Sequence, residues 1–318
     1  MTEAPDELPG GLVRQENRPV GGPVALDLAV DVGRVLVLLD PGADPDASDA
    51  SEVRLEVRHD PAAAGGWAQR IGEVASWLGT VGAGPEEATP ATAGADAVRA
   101  AEVTWGEEGT EQPTLTVRSS TELSLRVVPL AVTVWAPAGS RVTARTGAGD
   151  VTVRGRAGRA TVRTGAGAAE LADVDGDADV TTGSGGVTLG AVGGRTRVRT
   201  GSGAVTVAGA AGTTDIKAGS GDVTLGAVTA DVGVRTGTGA VHVADARAGR
   251  VELTTGSGGL RIGVHPGVLA ELDLSSGSGR ARSELDVHRT TPEREPAVKL
   301  RGRTASGDVL VTRAAAQA

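Results

Sequence analysis

Apolar and polar residues alternate along most of this chain, and from Thr146 the alternation itself repeats every eighteen residues. Period two places successive side chains on opposite faces of an extended strand, so each run reads as a strand with one buried face. Leu26, Leu28 and Val30 alternate with Asp27 and Ala29, and a second run, Val32 to Val37, follows after a tight turn. Val53, Leu55 and Val57 alternate with Arg54, Glu56 and Arg58. Residues 12–59 are therefore read as strands. The period changes at 65–80, where Trp67, Ile71, Val74 and Leu78 share one face of a helix. A Pro-, Ala-, Thr- and Gly-containing linker is expected at 82–95, with strands again at 98–105, 113–118 and 123–135.

The repeat units read RTGAGDVTV, RTGAGAAEL, TTGSGGVTL, RTGSGAVTV, KAGSGDVTL and RTGTGAVHV, with their second glycines at 149, 167, 185, 203, 221 and 239. A fixed period of this length marks an array in which each unit stacks on the last. Alignment by eighteen gives inward columns. One is Ala144, Val162, Val180, Val198, Ile216, Val234. A second is Val151, Ala169, Val187, Val205, Val223, Val241, and a third is Val153, Leu171, Leu189, Val207, Leu225, Val243. A fourth, Arg156, Val174, Val192, Ala210, Val228, Ala246, is expected to turn in at a corner. Glycine columns through 147, 149 and 158 mark two turns per coil. Beyond Gly239 the glycines at 258, 279 and 307 follow at longer steps, as if later coils stacked in chain order around a loop.

These patterns predict an all-β fold. It is a right-handed parallel β-helix (β-solenoid) of about 18 residues per coil, with a small helical insertion near the N-terminus. The expected organisation is a disordered tail over 1–11, an N-terminal β region over 12–136 with its insertion at 61–95, and the regular solenoid over 137–318 with a loop at 286–297. Helix and loop are expected to cover the two ends, because an open end is an unpaired strand edge.

Composition agrees. The chain of 318 residues has no Phe, Tyr or Cys, one Met, four Trp and 49 Gly. Small aliphatic residues must fill the core, which suits a solenoid two side chains across. The net charge of −9 disfavours general nucleic-acid binding, and absence of Cys removes disulfides and thiol chemistry. The first residues form neither a signal peptide nor a membrane span, so a cytoplasmic location is expected.

The units GSGDVTL (219–225), GAGDVTV (147–153) and ASGDVLV (305–311) resemble the SGDV repeats of the bacterial putative-adhesin family of β-strand-repeat proteins. VTVWAPAGS (132–140) is similar to that family's V-x-V-P-A-G-S lead-in. The resemblance spans about residues 20–318, leaving 60–98 unmatched. It implies a right-handed parallel β-helix and an adhesin-like role, with little chemistry.

Candidate chemistry is sparse. Arg145, Arg163, Thr181, Arg199, Lys217 and Arg235 form an outward, mostly basic column. Stacked cations attract an acidic polymer, whereas the plain alternative is a solvated face paired with Asp150, Asp215 or Asp222. The column Thr146, Thr164, Thr182, Thr200, Thr236 has inward parity and reads as an internal hydroxyl ladder. Asp173, Asp175, Asp177 and Asp179 are dense enough to suggest calcium, but their spacing departs from an EF-hand loop. The histidines His59, His242, His265 and His288 share no motif, and Ser202 lies outside any nucleophile-elbow pattern. The sequence thus reads as a non-enzymatic interaction scaffold without cofactor or metal, binding a protein partner or itself. The alternative is a polyanion- or glycan-binding module using Arg145, Arg163, Arg199, Lys217 and Arg235, and a glycan-active enzyme is the outsider.

Overall fold

The structure is a computed structural model describing residues 13–39, 52–61, 90–106, 112–285 and 295–315. Those residues form twenty-four strands and two helices. Each regular coil has two strands and two corners. Thr196–Ser202, for example, lies in one sheet and Val205–Ala210 in the other. Both pair in parallel, in eighteen-residue register, with the coils before and after. We call the sheets containing these two strands the first and the second.

The two sheets face each other across the core. Val198 and Ile216 from the first sheet, and Val205, Val207 and Leu225 from the second, are at most 1% exposed. Small branched side chains suffice because stacked residues of the same kind also pack against each other, coil upon coil. The fourth column needs one correction. Arg156 does not turn in. Strand Val151–Ala157 holds an extra residue, with Gly155 at φ 84°, so the register shifts and Ala157 fills the buried slot. The surplus residue lets the charged side chain remain in water.

Corners explain the glycines. Gly203 has φ 136°, and a Cβ there would lie 2.1 Å from the carbonyl oxygen of Gly185 in the preceding coil. Its partner Gly201 would place a Cβ 2.5 Å from the carbonyl oxygen of Gly183. Coils stack too closely at these two positions for any side chain. The threonine ladder lies just inside, buried as its parity predicts, and its hydroxyls donate to corner carbonyls. Thr146 reaches the Gly149 oxygen at 3.0 Å, Thr200 that of Ser202 at 3.1 Å and Thr304 that of Gly258 at 3.0 Å.

Both ends depart from chain order. Ala25–Leu39 is one continuous strand that passes Gly33 (φ 129°) from the first sheet into the second. It lies between Thr114–Arg118 and Arg141–Ala148 in the first sheet, and between Leu130–Ala136 and Val151–Ala157 in the second. At the other end, the step from Gly258 leads to Gly307 and not to Gly279. Val298–Ser306 pairs with Gly249–Ser257 on one side and Ala270–Ser276 on the other. Val309–Arg313 likewise lies between Leu260–Val264 and Ala281–Ser283. The final coil in space is therefore 270–283, a segment internal to the sequence. Stacking in chain order is corrected accordingly.

The first end is closed by antiparallel strands. Val13–Pro19 pairs with Glu52–His59, which pairs with Leu130–Ala136, and Glu102–Trp105 pairs with Thr114–Arg118. Helix Pro90–Ala100 packs here through Ala97 and Val98, which with Ala101 are buried. It occupies residues assigned from sequence to a linker and a strand. Proline at its first position and small residues on one face make it a helix, although its Pro, Thr and Gly look like a linker. Likewise Leu123–Arg126 is a short helix, and the following strand starts only at Leu130. The segment 65–80, most of the loop at 286–297 and the first twelve residues lie outside the described residues. Salt links fasten this end. Arg34 bonds Asp60, which holds the guanidinium pKa above its ordinary value, and Arg126 grips Asp31 at 2.9 Å.

Candidate functional site

The basic column lies on the outer face of the first sheet. Arg145, Arg163, Thr181, Arg199, Lys217 and Arg235 stand opposite one another in successive strands, and all the cationic members are exposed. Stacking sets them about 4.8 Å apart per strand. Inserted terminal coils extend the row past Thr254 to Arg303 at one end, and past Ala29 to Arg118 at the other.

The ends of the row are neutralised and its middle is not. Asp27 binds Arg145 at 2.8 Å and lies 3.8 Å from Arg118, while Asp273 lies 3.8 Å from Arg303. Arg163, Arg199, Lys217 and Arg235 have no carboxylate partner among the described residues. Two of the aspartates expected to pair with this column, Asp150 and Asp222, are engaged elsewhere. Asp150 accepts a hydrogen bond from the Ala168 amide at 2.8 Å, and Asp222 accepts one from the Ala240 amide at 2.7 Å. Asp308 does the same for the Arg280 amide at 2.8 Å.

This gives the aspartate of the Gly-x-Gly-Asp units a structural meaning. The corner residue of the adjoining coil has an amide that the strand ladder leaves over, and a carboxylate satisfies it with a charge-assisted bond. Asp222→Ala should cost about 1–2 kcal/mol, as loss of one such bond at a surface corner. Asp215→Ala, on the outer face without such a bond, should stay within about 0.5 kcal/mol. Paired thermal melts check this, and equal melts would show the corner bond to be dispensable.

Two members of the acidic cluster, Asp173 and Asp177, are spent in the same way at the opposite corner. Asp173 accepts from the Ala191 amide at 2.9 Å. Asp177 accepts from the Arg195 amide at 3.0 Å and binds Arg159 at 2.8 Å, while Asp175 lies 3.6 Å from Arg156. Among the described residues no three potential metal ligands come together.

One constellation escaped the sequence reading. Asp245, with its side chain only 8% exposed, lies 3.0 Å from His265 Nδ1 and 2.6 Å from Arg247 Nε. It stands in register with Ala227, itself paired with Gly209, so an aspartate among small residues was the available signal. Among the described residues His265 has no hydroxyl partner, so nothing there resembles an activated nucleophile. His59 packs its ring against Gly94, and His242 lies on the outer row of the second sheet beside Arg261.

Two facing parallel sheets, glycine corners and uniform coils define a β-solenoid repeat protein whose outer faces are its available surfaces. Residues 119–314, more than half of the chain, match the family model Toastrack DUF4097. The chain belongs to that family. No curated protein matches it in sequence. Among solved structures it is similar to a putative adhesin from Bacteroides fragilis, at 10% identity and TM-score 0.41, covering 96% of this chain and 98% of that one. It is also similar to a putative cell adhesion protein from Clostridium sporogenes, at 8% identity and TM-score 0.27, covering 95% and 100%. A third, a putative adhesin from Parabacteroides distasonis, has 10% identity and TM-score 0.32, covering 94% and 97%. Likenesses this distant carry no argument about ligand or partner. No helix among the described residues is long and apolar enough to cross a membrane.

Proposed function

We propose that the protein is a non-enzymatic, adhesin-like interaction scaffold that presents the outer face of its first sheet to an acidic polymer. One observation carries this reading. Asp150 and Asp222 are spent on backbone amides, while Arg163, Arg199, Lys217 and Arg235 remain exposed and, among the described residues, without carboxylate partners. A flat row of cations at strand spacing acts collectively, each contact being weak and screened by salt. Aromatic residues are absent from the row, which favours an acidic polysaccharide over single-stranded nucleic acid.

Changing Arg163, Arg199 and Arg235 together to Ser should abolish retention on an immobilised acidic polysaccharide and flatten its salt dependence. The melt should stay within about 1 kcal/mol of the parent, since exposed charges contribute little to folding. Equal retention of the triple variant and the parent would refute the acidic-polymer reading. The scaffold role itself would then rest on self-association, which light scattering measures.

A further inference from the structure

Near its last coils the outer face of the second sheet changes character. Along most of this row the outward residues are Thr152, Glu170, Thr188, Thr206 and Thr224. The next four positions in space are His242, Arg261, Leu310 and Arg282, directly opposite one another in neighbouring strands. The row at the adjacent corner runs Ala240, Gly259, Asp308 and Arg280, linked by bonds from the Val241, Leu260 and Val309 amides. Together these rows line an open groove of about 920 Å³.

Its shape follows from side-chain size. Gly259 and Ala240 contribute little side chain to the lining, Leu310 makes part of it apolar, and Arg261, Arg280 and Arg282 line it as exposed cations. Leu310 departs from the polar pattern of the outward row, and an apolar side chain there is half-buried between two arginines. None of the three arginine side chains has a carboxylate partner among the described residues. Two acids also line the groove. Asp308 is engaged by the Arg280 amide at 2.8 Å, and Glu284 is exposed beyond Arg282. Cations flanking an apolar strip, with the nearest carboxylate already bonded, form the polar and apolar parts of a small-molecule site.

We propose that this groove binds an elongated organic dianion with an apolar middle, one anionic group on Arg261 and the other on Arg282 and Arg280. Leu310 supports the middle of the ligand. Arg261 and Arg282 are two strand spacings apart, roughly 10 Å, which sets the separation of the two anionic groups. The arrangement exists only because the coil 298–313 inserts between coils 249–264 and 270–283. Stacking in chain order would put Arg261 beside Arg282 with no apolar residue between them. This site lies on the opposite sheet from the proposed polymer face and does not depend on it.

Isothermal titration of the full chain with suberate, a linear dicarboxylate of about the required length, tests the assignment. Suberate should bind, with the monocarboxylate octanoate and the short dicarboxylate succinate each weaker by about tenfold or more, since each lacks one charge-assisted contact. Arg261→Ser and Arg282→Ser should each weaken suberate by about tenfold, and Leu310→Ser should weaken it with the melt as a control for folding. The Arg163, Arg199 and Arg235 triple variant should bind suberate like the parent. Absence of heat with suberate, octanoate binding equally well, or undiminished binding by a folded Arg261→Ser/Arg282→Ser variant would overturn the proposal.

Discussion

Val198→Asp should cost about 4 kcal/mol at pH 7 through protonation alone, whereas Arg199→Asp, its neighbour, should cost under about 1 kcal/mol. Val198 is fully buried between Val180 and Ile216, both equally enclosed. A carboxylate in that stack has no donor and must take up a proton instead. Its folded-state pKa is then raised above the unfolded value of about 3.9, so at pH 7 the penalty is about three units at 1.36 kcal/mol each. The sign fixes the pH window. The penalty is absent below the unfolded pKa and grows as pH rises towards the folded one. Loss of valine packing adds about 1–2 kcal/mol at every pH. The gap between the two variants should therefore narrow between pH 7 and pH 4. Melts that coincide at pH 7, or a gap that does not narrow, would contradict the assignment of this column to a dry core.

Removing residues 297–318 should disrupt the protein more than loss of a terminal repeat ordinarily does. In a stacked array an end unit has one neighbour, so its removal deletes one interface. Here the last strands in sequence lie one coil in from the end. Their loss exposes the edge of coil 249–264 and leaves Ala270–Ser276 and Ala281–Ser283 without the strands they pair with. Val298, Leu300, Val309 and Val311 are all buried and go with them. At about 1.5–3 kcal/mol for each buried side chain, the loss is on the order of 8 kcal/mol. Hydrogen exchange reads it directly, because the amides of 270–276 should lose their protection in the shortened chain. If they stay protected, coil 270–283 can stack on 249–264 without the inserted coil, and the inserted coil is not what holds the end.

Period and parity alone determined the regular part. The eighteen-residue step fixes which coils are neighbours when connections are short and uniform, and alternation then assigns each side chain to core or surface. That is why Val162, Val198 and Ile216 were legible as core, and Thr146 and Thr200 as a buried ladder, without any contact being known. Composition reinforced it, since the core has space for little beyond valine, leucine, isoleucine and alanine.

Tertiary structure decided whatever depends on a choice between equivalent partners. Every parallel coil offers the same backbone edge, so a terminal strand can pair with any of them. Beyond Gly258 the connections are long enough to reach past a neighbour. Pairing there follows which combination buries the apolar side chains best, and periodicity carries no record of that choice. The same reason hid the split of the basic column into paired ends and a free middle. The acids concerned, Asp27 and Asp273, belong to a displaced strand and to the capping coil. Arg261, Leu310 and Arg282 are well separated in sequence, and only the inserted coil makes them consecutive in space.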